Sequence, residues 1–221
     1  MNIQRSIKTL AAAMLLLAGF SVNTASASTS GNSVVTVAGG CFWCVESDFE
    51  SVEGVKEAIS GYAGGTTTNP TYKQVTKGGT GHYEAVEIHF DPSTVTIENL
   101  FSLFFRSIDA TDSGGQFCDR GESYRTAIFV KDNAERIIAE NAKREAEAAL
   151  GRMIVTPILD AGEFYRAEDY HQDYYKGKKL VLTRFGPKKQ SEAYKAYRKA
   201  CGRDDRVREL WGSEAAFAGN H

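Results

Sequence analysis

The sequence predicts an α+β fold, and three observations carry that prediction. Strand-like and helix-like stretches interleave along the chain. The clearest strand, "HYEAVEIHFDP", alternates in polarity and stops at Asp91-Pro92. There is no run of βαβ units and no glycine fingerprint for dinucleotides. An antiparallel or mixed sheet with helices packed on it fits this pattern better than a doubly wound parallel sheet.

Taken in order, the chain opens with Arg5 and Lys8 before the apolar run Leu10 to Phe20, which is too short to span a bilayer, and then Ala25-Ser26-Ala27. That is the pattern of a secretory signal peptide over residues 1–27, cleaved after Ala27. No cysteine follows closely to carry a lipid, so the mature protein is expected to be exported and soluble, periplasmic or secreted. Residues 28–33 read as a flexible leader, and residues 34–221 as a single domain with a C-terminal tail.

Within the domain, "VVTVA" reads as a buried strand ended by Gly39-Gly40, and the alternation of acidic and apolar residues after Cys41 suits a helix with Cys41 in its first turn. "VKEAISGYA" is the next strand, followed by a glycine-rich loop through "TTTNPTYKQVTKGGTG". After the strand at 82–90, Thr96 can cap a helix with an apolar face of Ile97, Leu100, Phe101, Phe104 and Ile108. A polar loop, "DATDSGGQFCDRGES", leads to the strand "YRTAIFV". The helix beginning at "DNAERI" has Asp132 and Glu135 as its capping box and Gly151 as its stop. Pro157 places "MIVTPILD" at an edge or a bulge. "RAEDYHQDYYKG" and "SEAYKAYRKACG" read as two further helices.

Charge narrows the function. Lys and Arg number 26 against 28 Asp and Glu, and losing residues 1–27 removes only Arg5 and Lys8, leaving 24 against 28. A mildly acidic chain lacks the basic surface that nucleic-acid binding requires.

Cysteines stand at 41, 44, 118 and 201. In an exported protein four cysteines suggest two disulfides, but a chain of this length does not need staples, and a Cys-x-x-Cys bridge closes too small a loop to stabilise much. A zinc site lacks a second ligand pair at knuckle spacing, so no metal is expected. A catalytic reading remains. A cysteine at a helix start has its thiolate favoured by unpaired N–H groups, Phe42 and Trp43 can wall a small apolar group, and Cys44 lies one turn on, placed to attack an oxidised sulfur on Cys41. A thioredoxin-type disulfide oxidoreductase and a stapled binding protein compete with this reading. Glu84 and Glu87 point to opposite strand faces, and a carboxyl buried beside aromatics has a raised pKa suited to an acid. His82, His89 and His171 are candidate bases without a local nucleophile motif, and His171 reads as a helix anchor through hydrogen bonds.

"GGCFWCVE", "GYAGGTTTNPTYKQV", "GHYEAVEIHFDP", "GGQFCDRGESYRTAIF" and "EDYHQDYY", in this order, resemble peptide methionine sulfoxide reductase of the A type across almost the whole mature chain. The resemblance implies a two-layer ferredoxin-like sandwich and reduction of the S epimer of methionine sulfoxide, in proteins and free form. It implies Cys41 as nucleophile, Glu84 as acid, Phe42 and Trp43 as the methyl pocket, and Tyr72 and Tyr124 as hydroxyls for the sulfoxide oxygen. Asp119 is implied as a supporting polar group. Members differ in their resolving cysteine; proximity favours Cys44, with Cys201 the alternative and Cys118 near enough to consider. The resemblance further implies no bound cofactor, an external thioredoxin-like dithiol as reductant, and a monomer.

Overall fold

The computed structural model describes residues 33–219 apart from residue 185, so the expected signal peptide and nearly all of the leader lie outside the described residues. In chain order the elements are β1 (Ser33–Gly39), α1 (Phe42–Glu50), β2 (Val55–Ala63), α2 (Tyr72–Lys77), β3 (Tyr83–Phe90), α3 (Ile97–Phe105), β4 (Gly115–Gln116) and β5 (Asp119–Arg120). They continue with β6 (Thr126–Val130), α4 (Asn133–Leu150), β7 (Ile158–Asp160), β8 (Tyr165–Arg166), β9 (Leu180–Thr183), β10 (Gly186–Lys189), α5 (Gln190–Cys201) and α6 (Arg203–Trp211).

The main sheet runs β7-β6-β1-β3-β2-β8, antiparallel at every pair except β6 with β7. It is therefore mixed, with Pro157 next to the edge strand. Its inner strands β6-β1-β3-β2, with α1 joining β1 to β2 and α3 lying between β3 and β6, form the antiparallel ferredoxin-like arrangement.

Strand alternation decides which side chains reach the helices. Val35 and Val37, Val86, Ile88 and Phe90, and Ile128 and Val130 share one face and bury against Val45 and Phe49 of α1, Phe101 and Phe104 of α3, and Ala139 and Ala146 of α4. Val37 stands between Val86 and Ile128 in register. Ala38, Ala85, Ala127 and Phe129 form the smaller cluster on the other face. Glu84 has the same parity as Val86 and Ile88, so it falls on the face covered by α1. Glu87 is turned the other way, 3.6 Å from His89.

The expected caps form: Thr96 Oγ1 accepts from Asn99 N at 3.3 Å, and Asp132 from Glu135 N at 2.8 Å. Glu135 itself reaches back to Lys131 N at 3.2 Å, and Gly151 closes α4 in the left-handed conformation.

Elsewhere the structure corrects the sequence reading. The predicted loop after β2 holds α2, started by a capping box of Thr71 and Gln74. "RAEDYHQDYYKG" is not a helix; it contributes β8 and a 3-10 turn at Tyr174–Lys176. Asp173 breaks it with φ of 55°, and Gln172 is engaged with the backbone of Ser60 at 3.1 and 2.9 Å. β1 begins at Ser33, inside the expected leader. The expected C-terminal tail is structural, since Arg203, Val207 and Trp211, spaced by four, bury one face of α6.

That face carries a buried ion-pair network. Asp48 of α1 meets Arg198 at 2.8 Å and Arg203 at 3.7 Å, all three side chains at most 4% exposed. Arg203 also donates to the carbonyls of Gly39 and Ser107 at 3.1 and 3.0 Å. Removing one member of such a network leaves a buried charge uncompensated. Asp48→Ala is therefore expected to lower unfolding free energy by about 3–5 kcal/mol in urea titration. Glu214→Ala, which breaks the exposed pair with Arg106, is expected to cost less than about 1 kcal/mol.

Candidate active site

The turn between β1 and α1 places the first site residue. Gly40 has φ of 81°, and a Cβ there would lie 2.5 Å from Cβ of Gln116, so only glycine fits. Gln116 is itself fixed by backbone contacts to Asp109 at 2.9 Å on both sides of its amide. Cys41 follows as the N-cap of α1, at the helix start as expected, and its carbonyl accepts from Cys44 N at 3.0 Å.

The first N–H of the helix, Phe42 N, donates to Glu84 Oε2 at 3.0 Å. The helix terminus thus serves the carboxylate of β3. Glu84 is 2% exposed, and burial pushes its pKa up to about 8, assisted by the charges of Asp119 and Cys44 and opposed by the Phe42 N–H and the neighbouring Tyr124 hydroxyl.

Cys41 and Cys44 are free, buried and hydrogen-bonded to one another. That bond, then burial, then the nearby negative groups push the Cys41 thiol well up, contrary to the thiolate expected at a helix start. Cys44 is shifted down, chiefly as the acceptor of the same bond and against its burial, with Arg203 and Arg198 adding positive charge. Of the two thiols, Cys41 therefore holds its proton the more tightly.

Around the thiol lies a cavity of about 90 Å³ lined by Cys41, Phe42, Trp43, Tyr72, Glu84, Asp119, Tyr124 and Tyr197. Every one of these but Tyr197 is a residue the sequence singles out. Tyr72, at the start of α2, is held by its backbone N–H to Glu168 Oε1 at 3.0 Å, and Glu168 also accepts from Tyr62 at 2.8 Å. The Tyr72 and Tyr124 hydroxyls are hydrogen-bonded to each other, and burial followed by the charge of Glu84 raises both pKa values, so both stay protonated donors. Asp119 accepts from the Tyr197 hydroxyl, and burial raises its carboxyl.

The apolar wall extends beyond the predicted pair. Trp43 stacks on Tyr174 at 3.9 Å and 7°, and meets Tyr197 edge-on at 6.4 Å. His171 lies behind Phe42 and Trp43, with ring centroids 5.0 and 5.6 Å away. Neither of its ring nitrogens has a hydrogen-bond partner among the described residues, and burial lowers its pKa to about 4. It is a neutral packing ring rather than the hydrogen-bonded anchor expected. His82 pins a loop instead, accepting from Gly65 N at 3.1 Å and bonding Thr67 O at 2.8 Å. His89, paired with Glu87, is on the face away from the site.

Cys201 and Cys118 form a disulfide. Cys118 is thus not a buried packing thiol, and of the two candidate resolving cysteines only Cys44 is a free thiol beside Cys41. The bridge ties the loop before Asp119 to the end of α5, which carries Tyr197. Tyr197 precedes Cys201 by four residues, on the same side of that helix; the spacing was the available signal.

Glu84 titrates higher folded than unfolded, so between about 4.5 and 8 the native state binds more protons, and its contribution to stability declines as pH rises through that window. Glu84→Gln has no such proton to lose. Its thermal midpoint should therefore gain on the wild type as pH rises from 5 to 8.5; a constant difference would contradict the raised carboxyl.

The chain matches the profile of the family described as "Peptide methionine sulfoxide reductase" over residues 33–214. It is 50% identical over 182 residues to "Peptide methionine sulfoxide reductase MsrA 2" of Rhizobium meliloti, covering 82% of this chain and 84% of that protein. It is 44% identical to "Peptide methionine sulfoxide reductase MsrA 2" of Caulobacter vibrioides, covering 95% and 99%. Among solved structures, reduced Mxr1 of Saccharomyces cerevisiae superposes with a TM-score of 0.64 at 30% identity, over 67% of this chain and 86% of that one. "Methionine sulfoxide reductase A of Corynebacterium diphtheriae" gives 0.59 at 35%, over 66% and 74%.

Proposed function

Because this chain belongs to the peptide methionine sulfoxide reductase family, we propose that its site reduces the S epimer of methionine sulfoxide, in proteins and as the free amino acid, to methionine. The observation that carries the reading is the convergence on one small cavity of a buried thiol, a buried carboxyl with a pKa near 8, two protonated tyrosines and an aromatic wall.

The sulfoxide methyl group occupies the wall of Phe42 and Trp43, and the oxygen faces Glu84, Tyr72 and Tyr124. Glu84 gives its proton to that oxygen as Cys41 sulfur attacks the sulfoxide sulfur, and the proton of Cys41 is taken up by Cys44, whose accepting thiolate form Arg198 and Arg203 make available. The oxygen, now a hydroxyl, transfers to Cys41 as a sulfenic acid, and methionine leaves with its sulfur reduced by two electrons. Cys44 then displaces the hydroxyl, which leaves as water with the thiol proton, and a Cys41–Cys44 disulfide forms. An external thioredoxin-like dithiol reduces that bond by exchange and is itself oxidised.

No bound cofactor enters this cycle. The pattern of residues 1–27 supports export, with a reductant that works outside the cytoplasm; only the family resemblance supports a monomer. Among the described residues no helix is long and apolar enough to cross a membrane.

With dithiothreitol as reductant, the protein is expected to reduce N-acetyl-methionine-S-sulfoxide amide and leave the R epimer untouched. Cys41→Ser should abolish turnover, Glu84→Gln should slow it about 10²–10³-fold, and Cys44→Ser should still release one methionine per chain. Full activity of Glu84→Gln would remove the acid assignment, and equal use of both epimers would remove the substrate assignment.

A further inference from the structure

The β9–β10 hairpin takes no part in the chemistry above, yet it is inserted between Tyr174, stacked on Trp43, and α5, which carries Tyr197. It packs on α5, and the charge of Arg184 at its turn acts on Asp119 in the cavity. The hairpin therefore lies at the rim of the site. Two of its features bear on what it could do there.

One is apolar exposure. Leu180 is 70% and Leu182 85% exposed, and in register they stand opposite Lys189 and Pro187, on one side of the ribbon. Side chains of this size left in water over one short strand mark a contact surface. The ribbon is a two-stranded sheet by itself, so the outer edge of each strand has no strand partner among the described residues.

The other is charge. Between Gly177 and Gln190 stand Lys178, Lys179, Arg184, Lys188 and Lys189 and not one acidic residue, in a chain whose formal net charge is -2. The neighbouring Lys176 is paired with Glu50 and Asp173 at 2.7 and 2.8 Å, whereas Lys178, Lys179 and Lys188 make no ion pair among the described residues.

We propose that this hairpin docks the polypeptide that carries the oxidised methionine, taking an extended, acidic segment with apolar residues along the Leu180–Leu182 side. The inference rests on the reductase reading. An exposed strand edge supplies main-chain hydrogen bonds, the leucines supply contact area and the lysines supply attraction for acidic side chains. Position favours a polypeptide substrate over other partners, because the turn of the hairpin is near enough to the cavity for the charge of Arg184 to act on Asp119. A single oxidised amino acid has no flanking chain to lie along the hairpin, so the hairpin distinguishes protein substrates from small ones.

The test compares three substrates with dithiothreitol as reductant: N-acetyl-methionine-S-sulfoxide amide, a 15-residue Glu/Leu peptide with one central methionine-S-sulfoxide, and its Lys/Leu counterpart. The wild type is expected to prefer the acidic peptide about tenfold in kcat/KM and to lose that preference in 0.5 M NaCl. Lys178→Glu/Lys179→Glu and Leu182→Ser should each raise KM for the acidic peptide about five- to tenfold while leaving the small substrate within twofold. Leu182 is too exposed for its replacement to unfold the protein.

Equal peptide kinetics in variants and wild type would overturn the proposal. So would a defect seen only when thioredoxin replaces dithiothreitol, which would assign the hairpin to the reductant. Hairpin-dependent binding to phosphatidylglycerol vesicles with unchanged peptide kinetics would assign it to a membrane and overturn it equally. Failure of the wild type to reduce the small substrate would instead overturn the reductase reading itself.

Discussion

A carboxyl group with no cation beside it among the described residues, buried under the first N–H of a helix, is the constraint around which this site is arranged. Glu84 reaches that position because strand parity turns it toward α1, and α1 begins there because Gly40 lets the chain turn against Gln116. The hydrogen bond from Phe42 keeps Glu84 in place without forcing it to ionise. A carboxyl held this way is a proton donor at neutral pH, at a folding cost that grows as it ionises. Burial, with the charge of Glu84 second, keeps the tyrosine hydroxyls protonated, and the bond to Cys44 does most to hold the proton on Cys41, with Glu84 a lesser contributor.

The complementary field lies behind the thiols. Arg198 and Arg203 converge on Asp48 beneath α1, and their charge reaches Cys44. The network has a positioning consequence as well as an electrostatic one, since Arg203 holds the carbonyl of Gly39, two residues before the nucleophile. The Cys118–Cys201 bridge does the corresponding work on the open side, linking the Asp119 segment to α5 so that Tyr197 closes the cavity. Anionic groups in front and cationic groups behind leave the two neighbouring thiols with opposite tendencies, although both are buried in one helical turn.

What could be read from the sequence follows the range of the interactions involved. Cys41, Phe42, Trp43, Tyr72, Glu84, Asp119 and Tyr124 lie in short motifs, and all of them line the cavity. Thr96 and Asp132 cap their helices because capping is local. α2 carried an equally local signal, Thr71 three residues before Gln74, hidden by the glycines and threonines around it. The stretch around His171 misled because its polar side chains serve distant backbone, Gln172 that of Ser60 and Glu168 that of Tyr72. The thiolate expected at Cys41 failed chiefly because its bond to Cys44 and its burial hold the proton, while Glu84 of another strand takes the helix N–H. Tyr174 and the Cys118–Cys201 pairing depend on how the last third of the chain folds back, which no local pattern encodes, and the four-residue spacing of Tyr197 and Cys201 points to the site only once that pairing is known.

The central claim is that Glu84, protonated at rest, delivers the proton that makes the sulfoxide oxygen leave. It is tested most directly by the rate of methionine formation in a single turnover of the fully reduced protein, measured from pH 6 to 10 for wild type and Glu84→Gln. The account predicts a wild-type rate that falls above a midpoint near 8 as Glu84 ionises, and a slow rate in the variant with no such fall. A wild-type rate that climbs steadily to pH 10, or a variant that matches it at every pH, would contradict it.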